Sequence, residues 1–116
     1  MKEYDIDKIM QEYDAFVEIV RQISVSAEEQ IQKLKGTVVT DEIATDFSEI
    51  GVPYARNLLV YGWITQEQFS LVQDIEEKLN QMTQKKELWN NDALLSSIEW
   101  ENCRKKGKDL LGTLEI

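Results

Sequence analysis

Residues 62–69, with the sequence Gly-Trp-Ile-Thr-Gln-Glu-Gln-Phe, contain the signals of a corner between two helices. Gly62 can adopt the left-handed backbone conformation that ends many helices. Thr65 and Gln68 have the spacing of a capping box, in which each side chain accepts a hydrogen bond from the backbone of the other residue. We therefore predict that one helix ends at Gly62 and that the next begins directly after Thr65.

Apolar residues at the same corner support this prediction. Ile64 and Phe69 stand at the two positions of a hydrophobic staple, which sets the angle at which the chain enters a helix. Trp63, beside several amides, also fits a small binding site, but an aromatic residue in such a place more often belongs to the core. The same preference applies to Trp89 and Trp100, of which Trp89, beside a polar loop, is the better candidate for exposure.

Amphipathic helices are predicted on both sides of the corner. Downstream, apolar residues recur at helical spacing over residues 66–81. Upstream, Pro53 suits the first position of a helix that runs to the corner. Before that helix, Thr40 is predicted to cap a short helix over residues 41–50, which Gly51 ends.

The beginning of the chain has the pattern of a long amphipathic helix. Apolar residues recur every three or four positions from Ile6 to Ile23, with acids and amides on the opposite face. Residues 24–26 are less prone to form a helix, and Ser26 with Glu29 fits a second capping box. The chain therefore either kinks or starts a new helix there.

The last third begins with a polar loop that contains a short helical turn, over residues 83–97. A final helix then opens at Ser96 or Ser97. Trp100 and Cys103 lie on its predicted apolar face. The opposite side is basic, with Arg104, Lys105, Lys106 and Lys108.

Helix follows helix with short connections, and no β-rich run has a partner with which to pair. The prediction is an all-α fold, an antiparallel helical bundle of four main helices plus short connecting helices. The chain has 116 residues with five Gly and one Pro, which favours a single helical domain over residues 1–116 rather than a linker-rich chain.

Charge and cysteine content restrict the expected location and partners. One cysteine leaves no internal disulfide, and charged residues stand where a signal peptide needs an apolar run, so we expect a cytoplasmic protein. No apolar stretch approaches the roughly 20 residues of a membrane-spanning helix. The net charge of −9 disfavours anionic lipid and nucleic acid, so neither a membrane nor a nucleic-acid partner is expected.

The residue types that carry catalysis are scarce. The sequence has no histidine, which removes the commonest general base and metal ligand. Its five glycines stand singly, so they form no phosphate-binding loop. Cys103 is expected to pack in the core rather than to act as a reactive thiol. We expect no catalytic residue, no cofactor and no metal site, and therefore no enzyme.

Acidic residues are concentrated in the middle of the chain, since residues 36–82 hold eight acids and two bases. Four of these acids fall within about two turns of a predicted helix, and those at positions 42, 46 and 49 share one face at α-helical spacing. A solvated acidic face is the ordinary interpretation, whereas a surface for a basic protein is the functional one. An adjacent tyrosine suits a protein interface. The candidate partner-binding residues are Asp41, Glu42, Asp46, Glu49 and Tyr54.

Several segments carry a resemblance to a known family. They are residues 55–59 (Ala-Arg-Asn-Leu-Leu), residues 62–68, the run from Ile75 to Met82, Leu88-Trp89, and the opening of the last helix at residues 97–100. From about residue 41 to residue 114 the chain resembles small acidic helical immunity proteins of bacterial polymorphic-toxin loci. The resemblance implies a compact, non-catalytic protein that neutralises a toxin, often a basic nuclease, by covering its active surface.

The leading hypothesis is a non-catalytic cytoplasmic protein-binding inhibitor of the immunity or antitoxin type, whose partner is a basic toxin domain. Complementary charge suits such an inhibitor because it raises the association rate. The alternative is a helical structural or regulatory adaptor with no toxin partner, including a homodimer through the long first helix. A carboxylate-based hydrolase using Mg²⁺ would need acid clusters from different helices to converge. The sequence leaves the oligomeric state open.

Overall fold

The computed structural model describes residues 5–114, and in this part of the chain every regular element is a helix or a helical turn. The all-α prediction is confirmed. The elements are α1 (Ile6–Ser24), α2 (Ala27–Lys33), α3 (Val39–Asp46), a π turn (Phe47–Gly51), α4 (Val52–Val60), α5 (Gln66–Met82), a 3₁₀ turn (Lys86–Leu88), α6 (Asn91–Ser96) and α7 (Ile98–Thr113).

The corner at residues 62–69 has the predicted geometry. Gly62 has a φ of 76°, in the left-handed region. The backbone N–H of Gln68 donates to Thr65 Oγ1 at 3.1 Å, and the backbone N–H of Thr65 donates to Gln68 Oε1 at 2.8 Å. Ile64 and Phe69 are both buried, as a hydrophobic staple requires.

The first helix ends, and a new helix starts, at the serine-rich segment. Val25 is extended, with a ψ of 167°, and therefore interrupts the helix. Ser26 Oγ then accepts a hydrogen bond from the backbone N–H of Glu29 at 3.1 Å and so caps α2. Of the two sequence-based alternatives, the structure has the new helix start rather than a kink.

The prediction that Gly51 ends a helix is wrong. Gly51 has helical dihedrals (φ −59°, ψ −49°), and the chain passes from α3 through the π turn into α4 without leaving the helical conformation. Proline removes one helical N–H and its ring clashes with the carbonyl four residues earlier. The wider π turn immediately before Pro53 accommodates both effects, and the N–H of Val52 donates to the carbonyl of Phe47. Gly51 instead permits close packing, since a Cβ there would lie 3.1 Å from Ile19 Cγ2.

The prediction that Thr40 caps a helix is also wrong. The helix begins earlier, at Val39, and the capping position is held by Val38, which makes no side-chain capping bond. Val39, Ile43 and Phe47 are all buried on one side of this helix, and the burial of three large apolar residues outweighs the roughly 1 kcal/mol that a threonine cap supplies. Thr40 is consequently buried within the helix.

The long helices pack as neighbours in a ring: α1 lies against α7 and α4, and α5 lies against α4 and α7. Two contacts between α1 and α7 show that these two helices run in opposite directions. At one end of the α1–α7 pair, the Tyr13 hydroxyl donates to the Leu114 carbonyl at 3.4 Å. Near the other end, Gly107 lies directly against Ile23 and Ser24. The molecule is elongated, with extents of 49 × 27 × 24 Å.

Two tryptophans hold the segment between α5 and α7 against the core. Trp100 is fully buried, and its Nε1–H donates to the Leu88 carbonyl at 2.7 Å. The Trp89 ring meets it edge to face, with 5.4 Å between the ring centroids. Trp89 Nε1–H donates to the Met82 carbonyl at 2.9 Å. Both residues therefore fix the backbone around the 3₁₀ turn.

Cys103 is buried, as predicted, with its Sγ 3.6 Å from Met82 Sδ.

Across residues 5–114, no helix has the combination of length and apolar character needed to cross a membrane.

Candidate functional site

A shallow, open groove of about 500 Å³ lies between the α3–π turn segment and the chain that follows α5. We call it the Trp89 groove. Its walls come from two distant parts of the sequence, so folding rather than local spacing creates it. The lining residues are Asp41, Ala44, Thr45, Ser48 and Glu49 on one side, and Thr83, Lys86 and Trp89 on the other.

The π turn explains which acids enter the groove. In a regular α-helix, Glu49 would lie about 80° around the axis from Asp41, because eight residues exceed two turns of 3.6 residues. A π turn holds more residues per turn, so it rotates Glu49 back toward the face that carries Asp41. Both carboxylates consequently line the Trp89 groove.

The predicted acidic face is divided in the structure. Glu42 and Asp46 are half-buried and do not line the Trp89 groove. Asp46 Oδ2 instead accepts a hydrogen bond from Gln22 Nε2 on α1 at 3.0 Å. Tyr54 packs against the core from α4 and also lies outside the groove. The structure thus brings together Asp41 and Glu49 from the five predicted residues.

The two groove carboxylates are not neutralised by ion pairs. Among residues 5–114, the side chains within salt-bridge distance are Arg21 with Glu18 at 2.8 Å and Lys85 with Glu99 at 3.4 Å. Lys86 is the cationic residue that lines the groove beside Asp41 and Glu49. Two carboxylates and one ammonium group leave the groove with a net negative charge.

Sequence reasoning missed the opposite wall of the groove. Trp89 was singled out for exposure by its polar surroundings, and the structure finds it half-buried, but nothing in the sequence placed it opposite Asp41. Thr83 and Lys86 stand in what the sequence shows only as a polar loop. Their position depends on the hydrogen bond from Trp89 to Met82 and on the contact with Trp100.

A second cleft, of about 590 Å³, lies at the junctions of α1 with α2 and of α6 with α7. It includes the basic side of α7, with Arg104, Lys105 and Lys108, but also Glu28 and Glu101. Arg104 is partly committed to the fold, since its Nη1 donates to the Leu94 carbonyl at 3.0 Å. Partial burial lowers the pKa of this guanidinium. The mixed charge makes this cleft a weaker candidate than the Trp89 groove.

Within residues 5–114, no group of three or more His, Cys, Asp or Glu side chains has an arrangement that fits a metal ion.

Comparison with known protein families, with curated proteins and with solved structures finds no match to this chain. The functional interpretation therefore depends on the groove itself.

Proposed function

We propose that this protein is a non-catalytic protein-binding inhibitor of the toxin-neutralising immunity or antitoxin type. The observation that supports this proposal is the Trp89 groove, where Asp41 and Glu49 stand beside an aromatic residue and have no ion-pair partner among residues 5–114. An aromatic residue surrounded by polar groups is typical of the places where protein partners bind tightly.

The charge of the whole chain suits a basic partner. A net charge of −9 on 116 residues attracts a basic domain over several ångströms and raises the rate of encounter. An inhibitor that must act before its target causes damage benefits from a fast association. Glu42 and Asp46, on the same helix as Asp41, would add to this long-range attraction without entering the groove.

The groove is also held in shape before any partner arrives. One wall is helical backbone, and the other is fixed by the hydrogen bond of Trp89 to Met82 and the contact of Trp89 with Trp100. A preformed surface loses little conformational entropy on binding, which favours affinity.

The adaptor hypothesis has less support from the packing. Most of the apolar stripe of α1 that a homodimer would need is buried against the same chain, including Phe16, Val20 and Ile23, and only its first turns, at Ile6 and Met10, are exposed among the described residues. Light scattering coupled to size-exclusion chromatography separates the two functions, because a tight dimer without a toxin partner favours the adaptor.

The direct test is protection against the product of the adjacent gene in a growth assay, followed by binding kinetics of the purified pair. Replacing Asp41 and Glu49 by lysine should lower the association rate by about tenfold and weaken its dependence on salt. The matched control replaces Asp74 and Glu77, two exposed acids of α5 outside the groove, by lysine. Equal rates for the two double variants would remove the Trp89 groove from the interface, and failure to protect would remove the inhibitor function.

A further inference from the structure

We propose that the Trp89 groove receives the guanidinium group of an arginine side chain from the protein partner. This inference rests on the proposed function and names the chemistry of the partner's contacting residue. It follows from the kinds of atoms that line the groove and from how the π turn alters their hydrogen bonding.

The groove is rich in hydrogen-bond acceptors. Asp41 and Glu49 supply four carboxylate oxygens, and Thr45 and Ser48 add hydroxyl oxygens on the same wall. A carboxylate offers acceptors only, whereas a guanidinium offers five N–H donors and no acceptor. The two sets of groups are complementary in charge and in hydrogen-bonding capacity.

The π turn adds a backbone acceptor at Ser48. The N–H of Val52, four residues after Ser48, donates to the Phe47 carbonyl instead. Pro53, five residues after Ser48, has no N–H. The Ser48 carbonyl therefore receives neither the α-helical nor the π-helical hydrogen bond, and it belongs to a residue that lines the groove. A donor that reaches this carbonyl from the groove would gain a hydrogen bond.

The aromatic wall favours arginine over lysine. Trp89 already uses its N–H to bond the Met82 carbonyl, so the part of the ring that lines the groove offers carbon surface. A guanidinium is planar and weakly hydrated, and it combines stacking on an aromatic surface with bidentate hydrogen bonds to carboxylates. A lysine ammonium is strongly hydrated and lacks the planar fork.

Lys86 gives the inference an internal control. It is an exposed residue of the 3₁₀ turn that lines the groove, where its ammonium group shares the field of Asp41 and Glu49. A guanidinium that enters the groove competes with this charge. Removing the charge with Lys86→Gln should strengthen guanidinium binding, whereas a groove that binds through shape alone would not respond.

The test is a titration of the full ¹⁵N-labelled chain with N-acetyl-arginine amide, followed through the Trp89 indole N–H and the backbone amide of Ser48. We expect saturable shifts at both signals, and binding about tenfold weaker for N-acetyl-lysine amide, the equivalent of one charge-assisted hydrogen bond. Neutral N-acetyl-citrulline amide should bind more weakly still. Lys86→Gln should raise the affinity for arginine by a few-fold.

Variants of the two carboxylate residues test whether these shifts come from binding in the Trp89 groove. The double variant Asp41→Asn with Glu49→Gln should lose them, whereas Asp74→Asn with Glu77→Gln, which removes the same charge from α5, should keep them. Shifts that fail to saturate, or that are equal in the two double variants, overturn the inference. Because the probe is a free arginine derivative, this result is independent of the toxin-protection assay, which tests the inhibitor function separately.

Discussion

At the scale of single residues, Gly107 shows how one missing methyl group allows two helices to pack. A Cβ at this position would lie 2.7 Å from Ser24 Oγ and 2.8 Å from Ile23 Cγ2. Ser24 cannot swing away freely, since its hydroxyl donates to the Val20 carbonyl at 2.6 Å. The glycine is therefore a packing requirement of the α1–α7 contact.

Replacing Gly107 by alanine should lower the free energy of unfolding by about 1–3 kcal/mol, the usual cost of overpacking. The control is Gly112→Ala in the same helix, where a Cβ would meet no described heavy atom within 4 Å apart from its chain neighbours and the backbone of its own helix. That substitution should raise stability by about 0.5–1 kcal/mol through helix propensity. Urea denaturation measures both. A destabilisation of the same size in the two variants would contradict the packing explanation.

Cys103 provides a prediction about alkaline pH. Burial raises the pKa of its thiol from 9.0 to about 11. Above pH 9 the unfolded chain ionises this thiol while the folded chain keeps it protonated, so the unfolded state binds fewer protons and stability falls as pH rises. The loss should approach about 1.4 kcal/mol per pH unit between pH 9 and pH 11, with no contribution below pH 9.

Urea denaturation across this pH range tests the assignment. Cys103→Ala should lower stability near neutral pH, because it leaves a small cavity, and should remove the part of the alkaline slope that belongs to the thiol, so the difference between the two proteins should shrink as pH rises above 9. An unchanged slope in this variant would assign the pH dependence to other groups.

At the scale of elements, the start of α3 shows where local signals and burial compete. Threonine is a favourable residue type for a cap, but the helix starts at Val39 and Thr40 lies inside it. Thr40 Oγ1 is buried there and has no hydrogen-bond partner within residues 5–114. An unpartnered buried hydroxyl costs about 1–3 kcal/mol. The element therefore begins at a position that satisfies the core at the expense of one polar group.

Thr40→Val should consequently stabilise the protein, by about 1 kcal/mol, since it keeps the shape of the side chain and removes the unsatisfied hydroxyl. Thr45→Val makes the same change at an exposed position of α3 and should alter stability by less than about 0.5 kcal/mol. Thermal unfolding of both variants and of the unchanged protein measures these differences in stability. A loss of stability in Thr40→Val would mean that the hydroxyl has a favourable role in the fold.

The elements also show how much the sequence predicts. The predicted caps at Ser26 and Thr65 are correct, and of the two serines predicted for the last helix Ser97 is the cap, because each cap depends on atoms within three residues. The Gly51 stop is wrong because the approach of Ile19, from a distant helix, determines the role of that glycine.

The residues of the candidate site were likewise predictable from the sequence only in part. Asp41 and Glu49 belong to an acidic segment that composition makes visible. Trp89 reaches the same groove only through its contacts with Met82 and Trp100, which no local pattern encodes.

At the scale of the whole molecule, the excess of negative charge is spread over an elongated body with few ion pairs among the described residues. Exposed pairs of this kind contribute little to stability, so repulsion between acids is the larger electrostatic effect. Salt should therefore stabilise this protein by screening that repulsion.

The melting temperature should rise by a few degrees as NaCl increases from low to physiological ionic strength, equivalent to up to about 1 kcal/mol. KCl at equal ionic strength should have the same effect. Replacing Asp74 and Glu77 by lysine lowers the net negative charge and should reduce the response. A melting temperature that falls with salt would show that attractive pairs dominate.

The π turn lets the segment between α3 and α4 hold one more residue without changing the faces that the two helices present. Deleting a single residue from this turn would restore ordinary helical spacing and leave the flanking helices in nearly the same orientation, because a π turn holds more residues than an α-helical turn. Asp41 would stay at the groove, and the buried set of Val39 and Ile43 would still face the core. Related chains with one residue fewer in this segment, and without the proline that the wide turn accommodates, could therefore keep the same fold, and an ungapped alignment with them would match residues that occupy different sides of the helix.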